Sequence, residues 1–221
     1  MVGSILGLVR FNYKEKDPKW SDDHILDIGN RAVSLFPPSL FEKCELVGTS
    51  EYDDNYLSKE KGLPREFLWG HVVDIKYVLR DLKKFDTGEH YRMLGLVEDF
   101  LNLDERMVGG YMPDRIGVAS LEGGIFYSEV EKNLAQVLTI ADELAHSFGL
   151  QHPQRVLDRL DDKKSLVPRM VVPIKSLKHE NYCLMLFNSI KFCSSCQRKL
   201  ENLLSSRTMV PQKISTLNQY F

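Results

Sequence analysis

The segment from 141 to 152 constrains the fold of this 221-residue chain more than any other segment. Asp142 and His146 stand four positions apart, and residues at that spacing lie on the same face of an α-helix. Glu143 is beside them, and Gly149 can adopt the left-handed backbone conformation in which many helices end. The segment therefore predicts the last turns of a helix that carries polar, metal-binding residue types, followed by a sharp turn.

The same segment is similar to the zinc-binding helix of the metzincin peptidases, H-E-x-x-H-x-x-G-x-x-H. This chain has Asp142, Glu143, His146, Gly149 and His152 at the corresponding offsets. The resemblance implies a catalytic zinc bound by Asp142, His146 and His152. It also implies that Glu143 is the general base that takes a proton from the attacking water.

The first ligand position departs from the metzincin pattern, because Asp142 stands where the family has histidine. Two histidines and one carboxylate form a known catalytic zinc set. A carboxylate ligand adds negative charge, however, and this weakens the ability of the metal to lower the pKa of its bound water. In the alternative interpretation, Asp142 is only a polar helix residue and the site binds no metal.

A second group of metal-binding residue types lies near the C-terminus. Cys183-Leu-Met185 and the later Cys193-Ser-Ser-Cys196 resemble the C-x-M and C-x-x-C segments of the archaemetzincins. In that family the methionine forms a turn beneath the catalytic metal, and four cysteines hold a structural zinc. The resemblance implies that Met185 is the Met-turn residue and that Cys183, Cys193 and Cys196 bind a structural zinc.

The fourth ligand of this structural zinc is open. Family members usually have the first of the four cysteines directly after the third metal-binding histidine, where this chain has Pro153, and residues 153–178 form an insertion. Three cysteines and one histidine are an accepted zinc set, so His179 is the natural candidate, with Cys44 as an alternative. In the other interpretation, Cys183 is a core thiol and no metal is bound.

Apolar periodicity predicts an α/β fold with a mixed sheet. We expect strands over 4–9, 44–47, 93–97, 107–112 and 116–121, helices over 22–36, 67–85, 128–148 and 197–204, and a loop over 48–64. Ser21 is the predicted N-cap of the first helix, and Gly109-Gly110 is a predicted turn. Together with the resemblance, this predicts a single compact metzincin-like domain over 1–221, with a twisted mixed sheet, a long active-site helix and a C-terminal zinc-binding element over 179–204.

Charge and hydropathy exclude several classes of protein. Lys and Arg number 29 against 31 Asp and Glu, which gives a net charge of −2 without the basic excess of nucleic-acid or membrane-surface binders. The N-terminal apolar stretch is too short to span a membrane and is not preceded by basic residues. We therefore expect a cytoplasmic monomer with reduced cysteines that contacts neither nucleic acid nor membrane.

The expected function is zinc-dependent peptide hydrolysis of the archaemetzincin type, acting on a peptide or protein substrate and weakened or lost through Asp142. A degenerate relative is the alternative: it would keep the fold and the structural zinc and act as a binding module. A third interpretation is that the C-terminal zinc element recruits a partner.

Overall fold

The computed structural model describes residues 5–57, 72–103, 106–108, 110–112, 114–122, 132–150, 183–184 and 190–207. The strands in these ranges are β1 (Ile5–Tyr13), β2 (Lys43–Tyr52), β3 (Val72–Asp74), β4 (Arg92–Val97), β5 (Phe100–Leu103), β6 (Arg106–Val108), β7 (Gly110–Tyr111) and β8 (Ile116–Ser120). The α-helices are α1 (Asp22–Val33), α2 (Ile75–Leu82), α3 (Lys132–Ser147) and α4 (Ser194–Arg207). Short 3-10 helices cover Asp54–Tyr56 and Lys83–Phe85.

The main sheet has five strands in the order β2-β1-β4-β8-β7. Its first four strands are parallel to their neighbours, and β7 runs antiparallel to β8 at the edge. A smaller sheet has the order β3-β5-β6, with β3 parallel and β6 antiparallel to β5. The prediction of an α/β fold with a mixed sheet is therefore confirmed.

Helices cover both faces of the main sheet. Leu6 and Leu8 of β1 share a buried cluster with residues of α1 and α3, whereas Val9 and Phe11 share another with residues of α2. Because both faces of β1 are buried, its sequence is a nearly continuous apolar run and does not alternate between apolar and polar residues. Within the described ranges, no helix is both long and apolar enough to cross a membrane.

Element ends differ from the predictions where tertiary contacts decide them. The segment after Gly48 was predicted as a loop, but β2 continues to Tyr52, whose buried hydroxyl donates to Asp99 Oδ2 at 2.5 Å. Helix α2 begins at Ile75, not at 67, because Asp74 accepts a hydrogen bond from the Lys76 N–H at 2.9 Å and caps it. Strand β5 was not predicted.

The ends of the other helices follow local rules more closely. Ser21 caps α1, as predicted, by accepting from the His24 N–H at 3.2 Å. The helix ends at Val33, three residues earlier than predicted. Helix α4 begins at Ser194, inside the C-x-x-C segment and three residues earlier than predicted. The predicted insertion over 153–178 lies outside the described residues.

A buried carboxylate joins α2 to the turn that follows β2. Asp81 is 4% exposed, accepts a hydrogen bond from the Tyr56 hydroxyl, and pairs with Lys84 Nζ at 2.7 Å and with Arg80 Nε at 3.3 Å. Burial by itself would raise the pKa of Asp81, but the hydrogen bonds from Lys84, Tyr56 and Arg80 outweigh it and lower the pKa to about 2. The ionised carboxylate is therefore a stabilising group of the folded state.

We expect Asp81→Asn to lower the free energy of unfolding by about 1–2 kcal/mol at neutral pH. Because the folded pKa lies below the ordinary value of 3.8, the wild-type advantage is complete above that value and is lost as the pH falls toward 2. Urea unfolding of wild type and Asp81→Asn at a series of pH values measures this difference in the free energy of unfolding. Asp27→Asn is the control, since its ion pair with Arg31 at 3.5 Å is exposed and should change stability by less than about 0.5 kcal/mol. Equal stability of Asp81→Asn and wild type at neutral pH would contradict a stabilising role of the ionised Asp81 carboxylate.

Candidate metal sites

Helix α3 carries the predicted catalytic residues on its last turns. It packs against α1 and β8, and both Asp142 (5% exposed) and Glu143 (6% exposed) are buried. Gly149 ends the helix with φ at +75°. The Leu150 N–H donates to Ala145 O at 3.1 Å and the Gly149 N–H to His146 O at 2.8 Å, which together form a Schellman motif. The predicted left-handed cap is therefore confirmed.

Asp142 and His146 lie on one face of α3, with His146 Nε2 3.8 Å from Asp142 Oδ2. The other ring nitrogen of His146, Nδ1, is 2.8 Å from Leu150 O. A carbonyl oxygen only accepts, so Nδ1 carries a hydrogen, and in the neutral imidazole Nε2 then carries the lone pair. Histidines that bind a metal typically donate their other ring N–H to a backbone carbonyl or a carboxylate in this way. Two ligands with ~2.1 Å bonds to one tetrahedral zinc lie about 3.4 Å apart, so this pair fits one ion after a small adjustment.

Glu143 lies against the edge strand β7. A Cβ atom added to Gly110 would lie 2.5 Å from Glu143 Cγ and 2.5 Å from Val118 O, so only glycine fits there. The sequence predicted a turn at Gly110, but this residue is the first of β7 and pairs with Ala119 of β8. That a glycine is needed there to leave room for the Glu143 side chain was also missed. Burial raises the pKa of the Glu143 carboxyl well above its ordinary value, and the neighbouring Asp142 carboxylate raises it further.

The three C-terminal cysteines converge. The sulfur atoms of Cys183, Cys193 and Cys196 all lie within 4.8 Å of one another, and Cys183 Sγ is 3.7 Å from Cys196 Sγ. Two thiolates with ~2.3 Å bonds to one tetrahedral zinc lie about 3.8 Å apart, so the spacing fits a metal ion. Within the described part of the chain, this is the only set of three Cys, His, Asp or Glu ligand atoms close enough to share an ion.

Local hydrogen bonds assemble this cysteine cluster. The Leu184 N–H donates to Lys191 O at 2.8 Å, which holds Cys183 close to Cys193. The Cys193 N–H donates to Cys183 Sγ at 3.3 Å, and α4 begins one residue later. The positive end of a helix dipole stabilises a nearby thiolate. Backbone and side-chain hydrogen bonds lower the pKa of Cys193 against the opposing effect of burial.

Of the remaining predicted site residues, the described part of the chain includes Cys44 alone. Cys44, the alternative fourth ligand, is a buried thiol in β2 whose pKa burial raises to about 12, and it is not a member of the cysteine cluster. His152, Pro153, His179 and Met185 lie outside the described residues. The third catalytic ligand, the fourth structural ligand and the Met-turn therefore stay predictions.

An aromatic cluster links the two candidate sites. It comprises Phe36, Phe41, Tyr91, Phe148 and Phe192. The Phe36 ring centroid is 5.0 Å from that of Phe192, which precedes Cys193, and 5.8 Å from that of Phe148 at the end of α3. Phe148 also packs against the rings of Phe41 and Tyr91, each at 5.9 Å. The cysteine cluster and the last turn of α3 are thus held by one packed unit.

No protein-family model matches the sequence, and no curated protein matches it. Among solved structures, the chain is similar to the crystal structure of an archaemetzincin from Methanopyrus kandleri, with a TM-score of 0.56 and 21% sequence identity over 92% of this chain and 97% of that chain. A second archaemetzincin, from Archaeoglobus fulgidus, has a TM-score of 0.46 and 13% identity over 87% of this chain and 99% of that chain. The likeness to the Methanopyrus protein shows that this chain has an archaemetzincin-like fold.

We expect Gly149→Ala to lower the free energy of unfolding by about 1–2 kcal/mol. The Cβ of an L-residue disfavours the left-handed conformation, which glycine adopts freely and asparagine tolerates. A Cβ at Gly149 would have no heavy atom within 4 Å, so the backbone alone should set this loss. Gly149→Asn is the matched control and should lose less, since asparagine visits this conformation. Thermal unfolding measures both, and equal losses would contradict the explanation.

We expect Cys193→Ser to remove one equivalent of zinc from the purified protein and to lower its thermal stability, since a structural zinc contributes directly to folding. Elemental analysis after dialysis measures the zinc. Cys44→Ala is the control and should keep the metal content of the wild type, because Cys44 is not a member of the cysteine cluster. Unchanged zinc in Cys193→Ser would contradict a metal site at the cysteines.

Proposed function

We propose that this protein is a zinc-dependent metallopeptidase of the archaemetzincin type. One observation carries the proposal: in a helix of an archaemetzincin-like fold, His146 is oriented through Nδ1 by Leu150 O and has its Nε2 3.8 Å from the Asp142 carboxylate. Buried Glu143 follows Asp142 in the same helix. A carboxylate and an oriented imidazole that could bind one metal ion, next to a glutamate that could act as general base, are elements of metal-assisted hydrolysis.

Asp142, His146 and His152 would hold the catalytic zinc. When bound, the zinc would polarise the scissile carbonyl and make the attacking water more acidic. Glu143 would take the proton of that water and deliver it to the leaving amine. Burial and the neighbouring Asp142 carboxylate raise the pKa of its carboxyl, which makes it a stronger base than an exposed glutamate.

The substrate would be a polypeptide in extended conformation. Among the described strands, β7 at the edge of the main sheet pairs with β8 alone, and its Gly110 lies against Glu143. A peptide that adds to such an edge makes backbone hydrogen bonds independent of its sequence, and this would place its backbone near the base. We also propose a cytoplasmic monomer that contacts neither nucleic acid nor membrane, since the net charge of −2 favours neither.

The alternative is a non-catalytic binding module that keeps only the structural zinc. Two facts favour it: the cysteines converge as a group of three, and Asp142 stands where metzincins have histidine. A carboxylate ligand reduces the positive charge that a zinc presents to its water, so hydrolysis would be slower than with three histidines.

We expect Asp142→His to increase the zinc affinity of the α3 site and to raise peptide hydrolysis. Adding Glu143→Gln should keep the second zinc and abolish the gain in turnover, by about 10²–10⁴-fold, since only the base is lost. Zinc content and cleavage of a quenched fluorescent peptide library measure these effects.

The two functions give different results in this experiment. No change in zinc content after Asp142→His would contradict a metal-facing position for residue 142. A wild-type protein with a single zinc that disappears in Cys193→Ser, and with no hydrolysis in any variant, would favour the binding module.

A further inference from the structure

Arg92 connects the centre of the main sheet to the end of α3. It is the first residue of β4, which lies between β1 and β8. Its Nε donates to Ser147 Oγ at 3.0 Å, and one terminal nitrogen donates to Ser147 O at 3.3 Å. The other terminal nitrogen donates to Tyr91 O at 3.0 Å. All three guanidinium nitrogens therefore have defined partners, and two of the bonds end on one helix residue.

Two aromatic rings hold the guanidinium in place. Its central carbon lies 4.2 Å from the centroid of the Tyr91 ring and 4.8 Å from that of the Phe148 ring. Burial lowers the pKa of Arg92 to about 10, against the opposing charge of Asp114. Burying a cation is costly unless hydrogen bonds and ring contacts offset the lost hydration. The contacts made here supply both, so the side chain is held in one orientation.

The bonds to Ser147 act at a sensitive point of α3. The carbonyls of the last helical turn have no partner within the helix, and a cation near them is stabilising. Ser147 directly follows His146 and directly precedes Phe148, after which Gly149 turns the chain. Arg92 thus holds the turn in place through hydrogen bonds. This turn sets the orientation of the His146 imidazole and the direction in which the chain leaves the helix.

We propose that Arg92 is a positioning residue for the catalytic zinc, an inference that rests on the proposed function. It holds the last turn of α3 against the sheet, so that the His146 imidazole, through its bond to Leu150 O, is oriented for the metal before the metal binds. Residues that orient metal ligands from outside the coordination sphere typically change metal affinity 10- to 100-fold when they are mutated.

The test compares zinc binding in four variants of the full chain. Arg92→Gln removes the charge and the fork of donors, and Arg92→Lys keeps the charge with one donor group. Ser147→Ala removes the hydroxyl acceptor. Arg80→Gln is the matched control, because Arg80 also lies over two rings, Tyr56 at 5.9 Å and Tyr77 at 5.4 Å. These rings, and its ion-pair partner Asp81, lie outside α3.

Chelator competition gives the dissociation constant of the α3 site, identified as the zinc that His146→Ala removes. We expect Arg92→Gln to weaken this site 10- to 100-fold, with Arg92→Lys between it and the wild type. In Arg92→Gln the cysteine site should keep its wild-type zinc affinity. In Arg80→Gln both zinc sites should keep theirs. Arg92→Gln should have a smaller effect in a Ser147→Ala background than in the wild type, because the two residues share a bond.

The outcomes separate this inference from the proposed function. A wild-type protein that binds zinc only at the cysteines overturns both. A second zinc whose affinity is unchanged in Arg92→Gln, or equal weakening of both zinc sites, overturns the role of Arg92 alone. If Arg92→Gln does not fold, Arg92→Lys and Ser147→Ala decide, and wild-type zinc affinity in both overturns the inference.

Discussion

The turn at the end of α3 is the constraint on which the candidate catalytic site depends. Gly149 in the left-handed conformation allows the Leu150 N–H to close the Schellman motif and lets Leu150 O accept from His146 Nδ1. One backbone reversal therefore ends the helix and also selects Nδ1 as the ring nitrogen of His146 that donates to Leu150 O. A helix that continued past Ser147 would remove both effects.

Packing then couples this turn to the rest of the molecule. Phe148 contacts Phe36, Phe41 and Tyr91, and Phe36 in turn contacts Phe192 beside the cysteine cluster. A metal at the cysteines would thus stabilise the same aromatic cluster that supports the end of α3. In a chain of this size a small C-terminal element buries little area by itself, so a metal and a shared core are effective means of holding it.

The fold could be predicted largely from local patterns, because they act within single elements. The Ser21 cap, the α/β class with a mixed sheet and the Gly149 turn all follow from residue type and spacing. Strand β5, by contrast, is four residues long and exists because β3 and β6 pair with it. The early start predicted for α2 failed for a similar reason, since residues 72–74 pair with β5 and Asp74 caps the helix.

By itself the sequence determined which side chains could bind metal, since i, i+4 spacing and C-x-x-C segments are local properties of the chain. Asp142, His146, Cys193 and Cys196 were all identified in this way. Only the tertiary structure decided what surrounds them: Gly110 against Glu143, and Arg92 bound to Ser147 across 55 positions of sequence. The physical reason is that burial, pKa shifts and hydrogen bonds between distant segments depend on how the elements pack, and no spacing along the chain encodes those distances.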